Sequence, residues 1–143
     1  MARTRPINDY IAYLLAQADR QINRQLDEEF RAEGVPVEQW RILKLLAENN
    51  GRPTGDLAQV ALLNHPTLTK TLDRMVAQNL VYRRPDPDDG RKVLIFLSER
   101  GRAVNERLNK LAASHQDEIV ESCGNRELRE LKRLLEGLIQ RTA

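Results

Sequence analysis

Residues 56–97, with the sequence DLAQVALLNHPTLTKTLDRMVAQNLVYRRPDPDDGRKVLIFL, decide the fold of this chain. Their apolar periodicity predicts a short helix, a turn, a second helix with a polar outer face, and then two short strands. The strands are joined by Asp86–Arg91, whose proline, aspartate and glycine residues are typical of a turn. This order indicates a winged helix-turn-helix, so we expect a mainly α protein with a small β-wing.

The second helix of that stretch is the predicted recognition helix. Asn64 is expected to cap it, with His65 and Pro66 in the first turn, where the missing amide proton of proline costs nothing. Its inner face holds Leu68, Leu72, Leu80 and either Met75 or Val76. Its outer positions are small, polar or basic, and they are Pro66, Thr67, Thr69, Lys70, Asp73 and Arg74. Such side chains can meet phosphates and base edges, so this face, together with Asn64 and His65 at its start, is our candidate DNA reader. An ordinary solvated face is the alternative.

The predicted wing follows directly. Asn79 ends the recognition helix in the left-handed conformation, and strands over Val81–Arg84 and Lys92–Leu97 form the hairpin. Arg91 near its tip is the candidate minor-groove reader, and the further DNA candidates in the wing are Arg84 and Lys92. Aspartates 86, 88 and 89 would repel phosphate, so some must pair with arginines or cap the turn. Asp88 or Asp89 holding an arginine is the role that fits DNA binding, and turn residues with no DNA role are the alternative.

Long amphipathic helices flank this module. Apolar residues recur at every third or fourth position from Ile7 to Phe30, which predicts a first helix over about 7–31. A second helix starts near Pro36, and two more cover about 99–141. The predicted caps of the remaining helices are Thr54, Ser98 and Asn125. These apolar stripes exceed what one lobe can cover, so we predict a homodimer.

Composition limits the class of protein. The 143 residues suit one domain spanning 1–143, with 31% charged residues, 4% aromatic residues and a net charge of +2. Basic residues exceed acidic ones by three between Lys70 and Arg102, where the wing is predicted. No apolar run could cross a bilayer and no secretory signal is evident, so we expect a cytoplasmic protein.

Catalytic machinery is not evident in the sequence. The histidines are His65 and His115, the single cysteine is Cys123, and neither a phosphate-binding loop nor metal-ligand spacing occurs. We therefore expect no enzyme, no metal site and no cofactor. Two alternatives stay open: a winged helix used only for protein binding, and an oxidant-sensing regulator that uses Cys123.

The chain resembles the MarR family of bacterial transcriptional regulators from about residue 7 to residue 141. The segments that carry the resemblance are Trp40–Leu43, Leu68–Met75, Leu80–Arg84, Asp88–Lys92, Leu97–Ser98 and Gly101. Asn79 stands where many members have glycine, and Ser98 stands where many have threonine. Both replacements preserve the capping role.

The resemblance implies a homodimer joined through helices at about 7–31 and 99–141, with a DNA-binding lobe at about 37–97. It further implies a repressor on a pseudo-palindromic operator, whose recognition helices lie roughly 34 to 36 Å apart. Release by a small aromatic acid is also implied. The arginines of the first helix favour an aromatic carboxylate or its coenzyme A thioester. The candidate effector residues are Tyr10, Tyr13, Trp40, Arg20, Arg24 and Arg41, although core packing is the favoured explanation of the aromatic ones.

Overall fold

The computed structural model describes residues 3–143, which divide into two compact units, one up to Asn109 and one over Lys110–Ala143. The helices of the first unit are α1 (Ile11–Phe30), α2 (Val37–Glu48), α3 (Thr54–Val60) and α4 (His65–Ala77). Its strands are β1 (Arg52–Pro53), β2 (Val81–Pro85) and β3 (Val93–Leu97). Helix α5 (Glu99–Cys123) starts in the first unit and ends in the second, where α6 (Asn125–Thr142) follows. The expected mainly α fold with a β-wing is confirmed.

The sheet is antiparallel, with β3 between β1 and β2. In the wing, Val81 pairs with Leu97 and Pro85 pairs with Val93. On the other edge, Arg52 pairs with Ile95 in a strand that sequence analysis did not predict. Two residues are too few to produce an alternating pattern, so the sequence gives no signal for β1. The strand forms by pairing with β3.

The core of the first unit is apolar and closes around the recognition helix α4. Its fully buried large side chains include Phe30, Ile42, Leu43, Leu46, Leu57, Leu68, Leu72, Met75, Leu80, Ile95 and Leu108. Met75 is fully buried whereas Val76 is 37% exposed, which settles the choice between them. Val60 in α3 is 40% exposed because α3 turns Leu57 and Ala58 towards the core.

Three predicted helix starts need correction. A 3-10 turn covers Ile7–Asp9, and α1 begins only at Ile11 because Tyr10 has an extended backbone (φ −93°, ψ 120°). Pro53 and Gly124, rather than Thr54 and Asn125, occupy the N-cap positions of α3 and α6, and neither helix has a side-chain cap. The Ser98 cap is confirmed, since its hydroxyl oxygen accepts a 2.9 Å hydrogen bond from the amide of Gly101.

The second unit leaves its apolar residues open to solvent. Helix α6 contains no buried residue, and Leu131, Leu134 and Ile139 are 48%, 54% and 67% exposed. His115 in the second half of α5 is buried, as its place on the apolar stripe predicts. Within residues 3–143, none of the helices combines the length and apolar character that a membrane span requires.

Candidate nucleic-acid interface

The start of α4 is fixed by a side-chain cap. The Asn64 side-chain oxygen accepts a 2.9 Å hydrogen bond from the amide of Thr67, with Pro66 in the first turn, as predicted. The hydroxyls of Thr69 and Thr71 donate to the carbonyl oxygens of His65 and Thr67, at 3.0 and 2.8 Å. These contacts hold the first two turns of the helix in one geometry.

The outer face of α4 is open to solvent. Leu68, Leu72 and Met75 anchor the helix to the core, and Thr71, which was not assigned to either face, is buried with them. The side chains predicted to read DNA are all exposed or half-buried, namely Asn64, His65, Pro66, Thr67, Thr69, Lys70, Asp73 and Arg74. The fold therefore presents one polar helix face that is rigidly backed by apolar packing.

An ion pair joins the recognition helix to the wing. The guanidinium of Arg83 on β2 donates a 2.7 Å hydrogen bond to the carboxylate of Asp73 on α4. Sequence analysis placed Asp73 on the DNA-reading face and gave Arg83 no role. The partners are ten residues apart and belong to different elements, so only the folded structure identifies the pair.

The wing turn is held by its aspartates through backbone amides. The Asp86 carboxylate accepts from the amide of Asp88 at 2.9 Å, and the Asp89 carboxylate accepts from the amide of Arg91 at 3.1 Å. The amide of Asp86 donates to the carbonyl oxygen of Lys92 at 3.0 Å and closes the loop. In residues 3–143 no ion pair joins these aspartates to an arginine side chain. Asp86 and Asp89 cap the turn, and the expectation that Asp88 or Asp89 holds an arginine side chain is wrong, because these carboxylates bind backbone amides or remain exposed.

One face of the wing carries an aromatic stack. The rings of Tyr82 and Phe96 lie nearly parallel with centroids 5.4 Å apart, and the guanidinium of Arg84 lies 5.3 Å from the Tyr82 ring centre. Arg84, a predicted DNA contact, is thus held against the hairpin by a cation–π interaction. Arg91 and Lys92 are exposed near the tip.

The end of α4 is docked onto the start of α5. The Ser98 hydroxyl donates to the carbonyl oxygen of Asn79 at 2.6 Å, and the Arg100 side chain donates to that of Gln78 at 3.1 Å. A Cβ atom added to Gly101 would overlap the carbonyl oxygen of Leu80. Asn79 has the predicted left-handed backbone, with φ 58°. The recognition helix is therefore held at both ends.

The candidate effector residues fall into two groups. Trp40 and Arg41 are half-buried: the Trp40 indole donates to the Asn109 side chain at 3.0 Å and packs on Phe30, and Arg41 donates to the carbonyl oxygen of Ala61 at 3.4 Å. The candidates on or beside α1 are exposed, and they are Tyr10, Tyr13, Arg20 and Arg24. Packing therefore accounts for the contacts of Trp40.

Two buried amides, one beside Trp40 in α2 and one in α5, were missed by sequence analysis. Gln39 and Asn105 are each 4% exposed, and each has a buried side-chain oxygen that finds no hydrogen-bond partner within residues 3–143. An unpaired buried acceptor is costly, so each oxygen is a place where a donor would be stabilising. Their polar character made them look like surface residues in the sequence.

The other charged pairs in the described residues lie within single helices, except one that joins Glu33 to Arg107. The Glu33 carboxylate accepts a 2.9 Å hydrogen bond from Arg107, and this bond raises the pKa of Arg107 above its ordinary value. Within the described part of the chain no group of three or more His, Cys, Asp or Glu side chains could hold a metal ion. Cys123 is exposed at the last residue of α5.

Known proteins resemble this chain along most of its length. A model of the MarR family matches residues 33–92. The transcriptional regulator FarR of Neisseria gonorrhoeae is 32% identical over 124 residues, which cover 87% of this chain and 85% of FarR.

Solved structures share the fold as well. NadR in complex with 4-hydroxyphenylacetate is 31% identical, with a TM-score of 0.80 over 96% of this chain and 97% of that one. A mutant of MarR from Escherichia coli, complexed with operator DNA, is 25% identical, with a TM-score of 0.85 over 94% of this chain and 99% of that one.

Proposed function

The chain belongs to the MarR family of winged-helix transcriptional regulators, and on that premise we propose that it acts as a homodimeric repressor whose binding to DNA is released by an aromatic acid. The observation that carries the proposal is the exposed outer face of α4. The wing follows α4 in the chain and carries the exposed side chains of Arg91 and Lys92 at its tip. The likeness to a MarR structure complexed with operator DNA supports the same use of these elements.

We further propose that the whole chain is one MarR-type domain in which two copies pair through helices at about 7–31 and 99–141. The exposed apolar residues support pairing, since Ile7 and Ile11 are 61% and 58% exposed and Leu134 is 54% exposed. Burial of this apolar surface against a second copy would remove it from water and so stabilise the dimer. A two-fold dimer would present two α4 helices to a pseudo-palindromic operator.

The proposed effector is a small aromatic acid or its coenzyme A thioester. NadR in complex with 4-hydroxyphenylacetate supports an aromatic carboxylate. The exposed rings of Tyr10 and Tyr13 and the exposed guanidinium groups of Arg20 and Arg24 supply the two kinds of group that such a ligand needs. A ligand releases DNA only to the extent that it prefers a dimer shape whose recognition helices no longer match the grooves.

The test starts from DNA that the protein itself selects from a random-sequence library. Fluorescence anisotropy on the selected duplex should show tight binding that 4-hydroxyphenylacetate or an aromatic acyl thioester weakens, while the same compound raises the melting temperature of the free protein. Failure to enrich any duplex would contradict the DNA-binding function. Enrichment without a response to aromatic acids would contradict only the effector class.

A further inference from the structure

Two hollows lie beside the wing, one against α4 and the other against the start of α3. One cavity of about 180 Å³ is lined by Thr54, His65, Thr69, Arg83 and Val93. A second, of about 300 Å³, shares Thr54 and Val93 with it and reaches Arg91 at the wing tip. The two hollows share Thr54 and Val93 as lining residues, and we call them together the trough; α4 lines one of them and the wing tip lines the other.

The lining of the trough favours an anion. Its lining carries three cationic side chains, Arg83, Arg91 and Lys92, and one carboxylate, Asp56. Asp73, which is not part of the lining, balances the charge of Arg83 and leaves a net excess of one cation. The Asp73 carboxylate, which accepts a 2.7 Å hydrogen bond from Arg83, fixes the guanidinium in the hollow that α4 lines. The hydroxyl of Thr54, which lines both hollows, adds a neutral donor.

We propose that this trough holds one sugar–phosphate strand of the bound duplex, with Thr54 donating a hydrogen bond to a phosphate oxygen and Arg83 contacting a phosphate through its charge. The inference rests on the proposed DNA-binding function. A helix in the major groove and a wing in the adjacent minor groove straddle a single strand, so the protein surface between them faces that strand. Neither Thr54 nor Arg83 belongs to the DNA-contacting set predicted from the sequence.

Backbone contacts differ from base contacts in a measurable way. Loss of a phosphate contact weakens binding to every duplex by the same factor. Loss of a base contact instead changes the ratio between specific and non-specific affinity. A charged phosphate contact also contributes to the salt dependence, and a neutral hydroxyl does not. Thr54 and Arg83 should therefore share the first signature and differ in the second.

The experiment measures anisotropy on a selected duplex and on its scrambled counterpart. Thr54→Val keeps the side-chain shape but removes the donor, and we expect about three- to tenfold weaker binding to both duplexes with an unchanged salt slope. Thr54→Ser restores the hydroxyl and should bind like the wild type. Thr142→Val on α6 is the control, because Thr142 is exposed and its hydroxyl donates within its own helix. Arg83→Gln should weaken both duplexes and lower the salt slope by about one.

Each result decides the proposal. Unchanged affinity in Thr54→Val and Arg83→Gln would overturn it, and a loss confined to the selected duplex would make the residues base readers instead. If Arg91→Ala also leaves affinity unchanged, the DNA-binding function itself fails. Inorganic phosphate is a further test. If phosphate raises the melting temperature of the wild type but not of Thr54→Val, and Thr54→Val still binds DNA like the wild type, the trough binds a free anion and the proposal is overturned.

Discussion

The winged-helix lobe and the last helix use the same apolar residue types with opposite outcomes. In the lobe over residues 37–97, Ile42, Leu72 and Ile95 are 0–1% exposed and form a closed core, although single apolar side chains such as Leu62, at 77%, stay exposed on its surface. In α6 no residue is buried, and Leu131 and Leu134 stay half exposed. The lobe buries its apolar core within one chain. The apolar face of α6, in contrast, is not buried by other residues of its own unit.

This difference separates two kinds of stability. Burial of a leucine within one chain stabilises that chain whatever its concentration, while burial against a second copy stabilises only the assembly and depends on concentration. The lobe should therefore unfold with a midpoint that protein concentration does not change. The contribution of α6 should rise with concentration.

The largest expected effect is on assembly. Leu134→Asp places a charge on the exposed apolar face of α6, and a two-fold dimer contains the substitution twice. Since each buried leucine contributes about 1.5–3 kcal/mol, we expect the dimer dissociation constant to rise by more than about a hundredfold. Sedimentation equilibrium measures this, with Gln140→Asp, also exposed on α6, as the control. A wild-type protein that is monomeric at micromolar concentration would remove the basis of the comparison.

The matching change in the lobe acts on folding. Leu72→Ala leaves a cavity beneath the recognition helix, and we expect the free energy of unfolding to fall by roughly 2–5 kcal/mol. Urea denaturation at two protein concentrations should give the same loss at both. Val76→Ala, one turn along α4 and 37% exposed, should cost much less. Equal losses in the two variants would show that α4 is not anchored as described.

Substitutions on the proposed DNA surface should leave both kinds of stability intact. We expect Arg91→Ala, Lys70→Ala and Arg74→Ala each to weaken binding of the selected duplex by roughly 1–3 kcal/mol, with unchanged melting temperatures. Lys132→Ala, exposed on α6 outside the lobe, is the matched charge control. If all three variants bind like the wild type in a gel-shift titration, the α4 face and wing tip do not read DNA.

Sequence analysis succeeded where a signal was local. The Asn64 cap, the left-handed Asn79 and the Ser98 cap each depend on a residue type that satisfies nearby backbone groups. Helical periodicity likewise located Leu68 and Leu72 on the buried face. Contacts of this range need no knowledge of the rest of the chain.

The failures were contacts set by the tertiary structure. Strand β1 exists because β3 lies beside it, and the Asp73–Arg83 ion pair depends on how the wing folds back against α4. Met75 and Val76 are neighbours with similar apolar character, so only the rotation of α4 in the core decides which is buried. Periodicity identifies the apolar stripe of a helix, but packing against the neighbouring elements decides which residues of that stripe are fully buried.

The smallest predicted effect concerns a charge pair on α6. A hydrogen bond from Arg133 lowers the pKa of Glu130 below its ordinary value of 4.5. The pair therefore stabilises the folded state above about pH 4.5, and its contribution is lost as the pH falls through the lowered pKa. Glu130→Gln should remove this part of the acid dependence of the urea midpoint. The effect is slight because both groups are exposed, and a midpoint that falls more steeply with acid in the variant would contradict it.

The central claim is that two paired copies bind DNA through the outer face of α4 and the wing, which contact the grooves and the phosphate backbone. Its most direct test is a salt titration of the wild-type protein on the selected duplex by fluorescence anisotropy. We predict two protomers per duplex and a logarithm of the binding constant that falls linearly with the logarithm of salt concentration, with a slope of about −5 or steeper. A slope near zero, or no binding at low salt, would contradict the account.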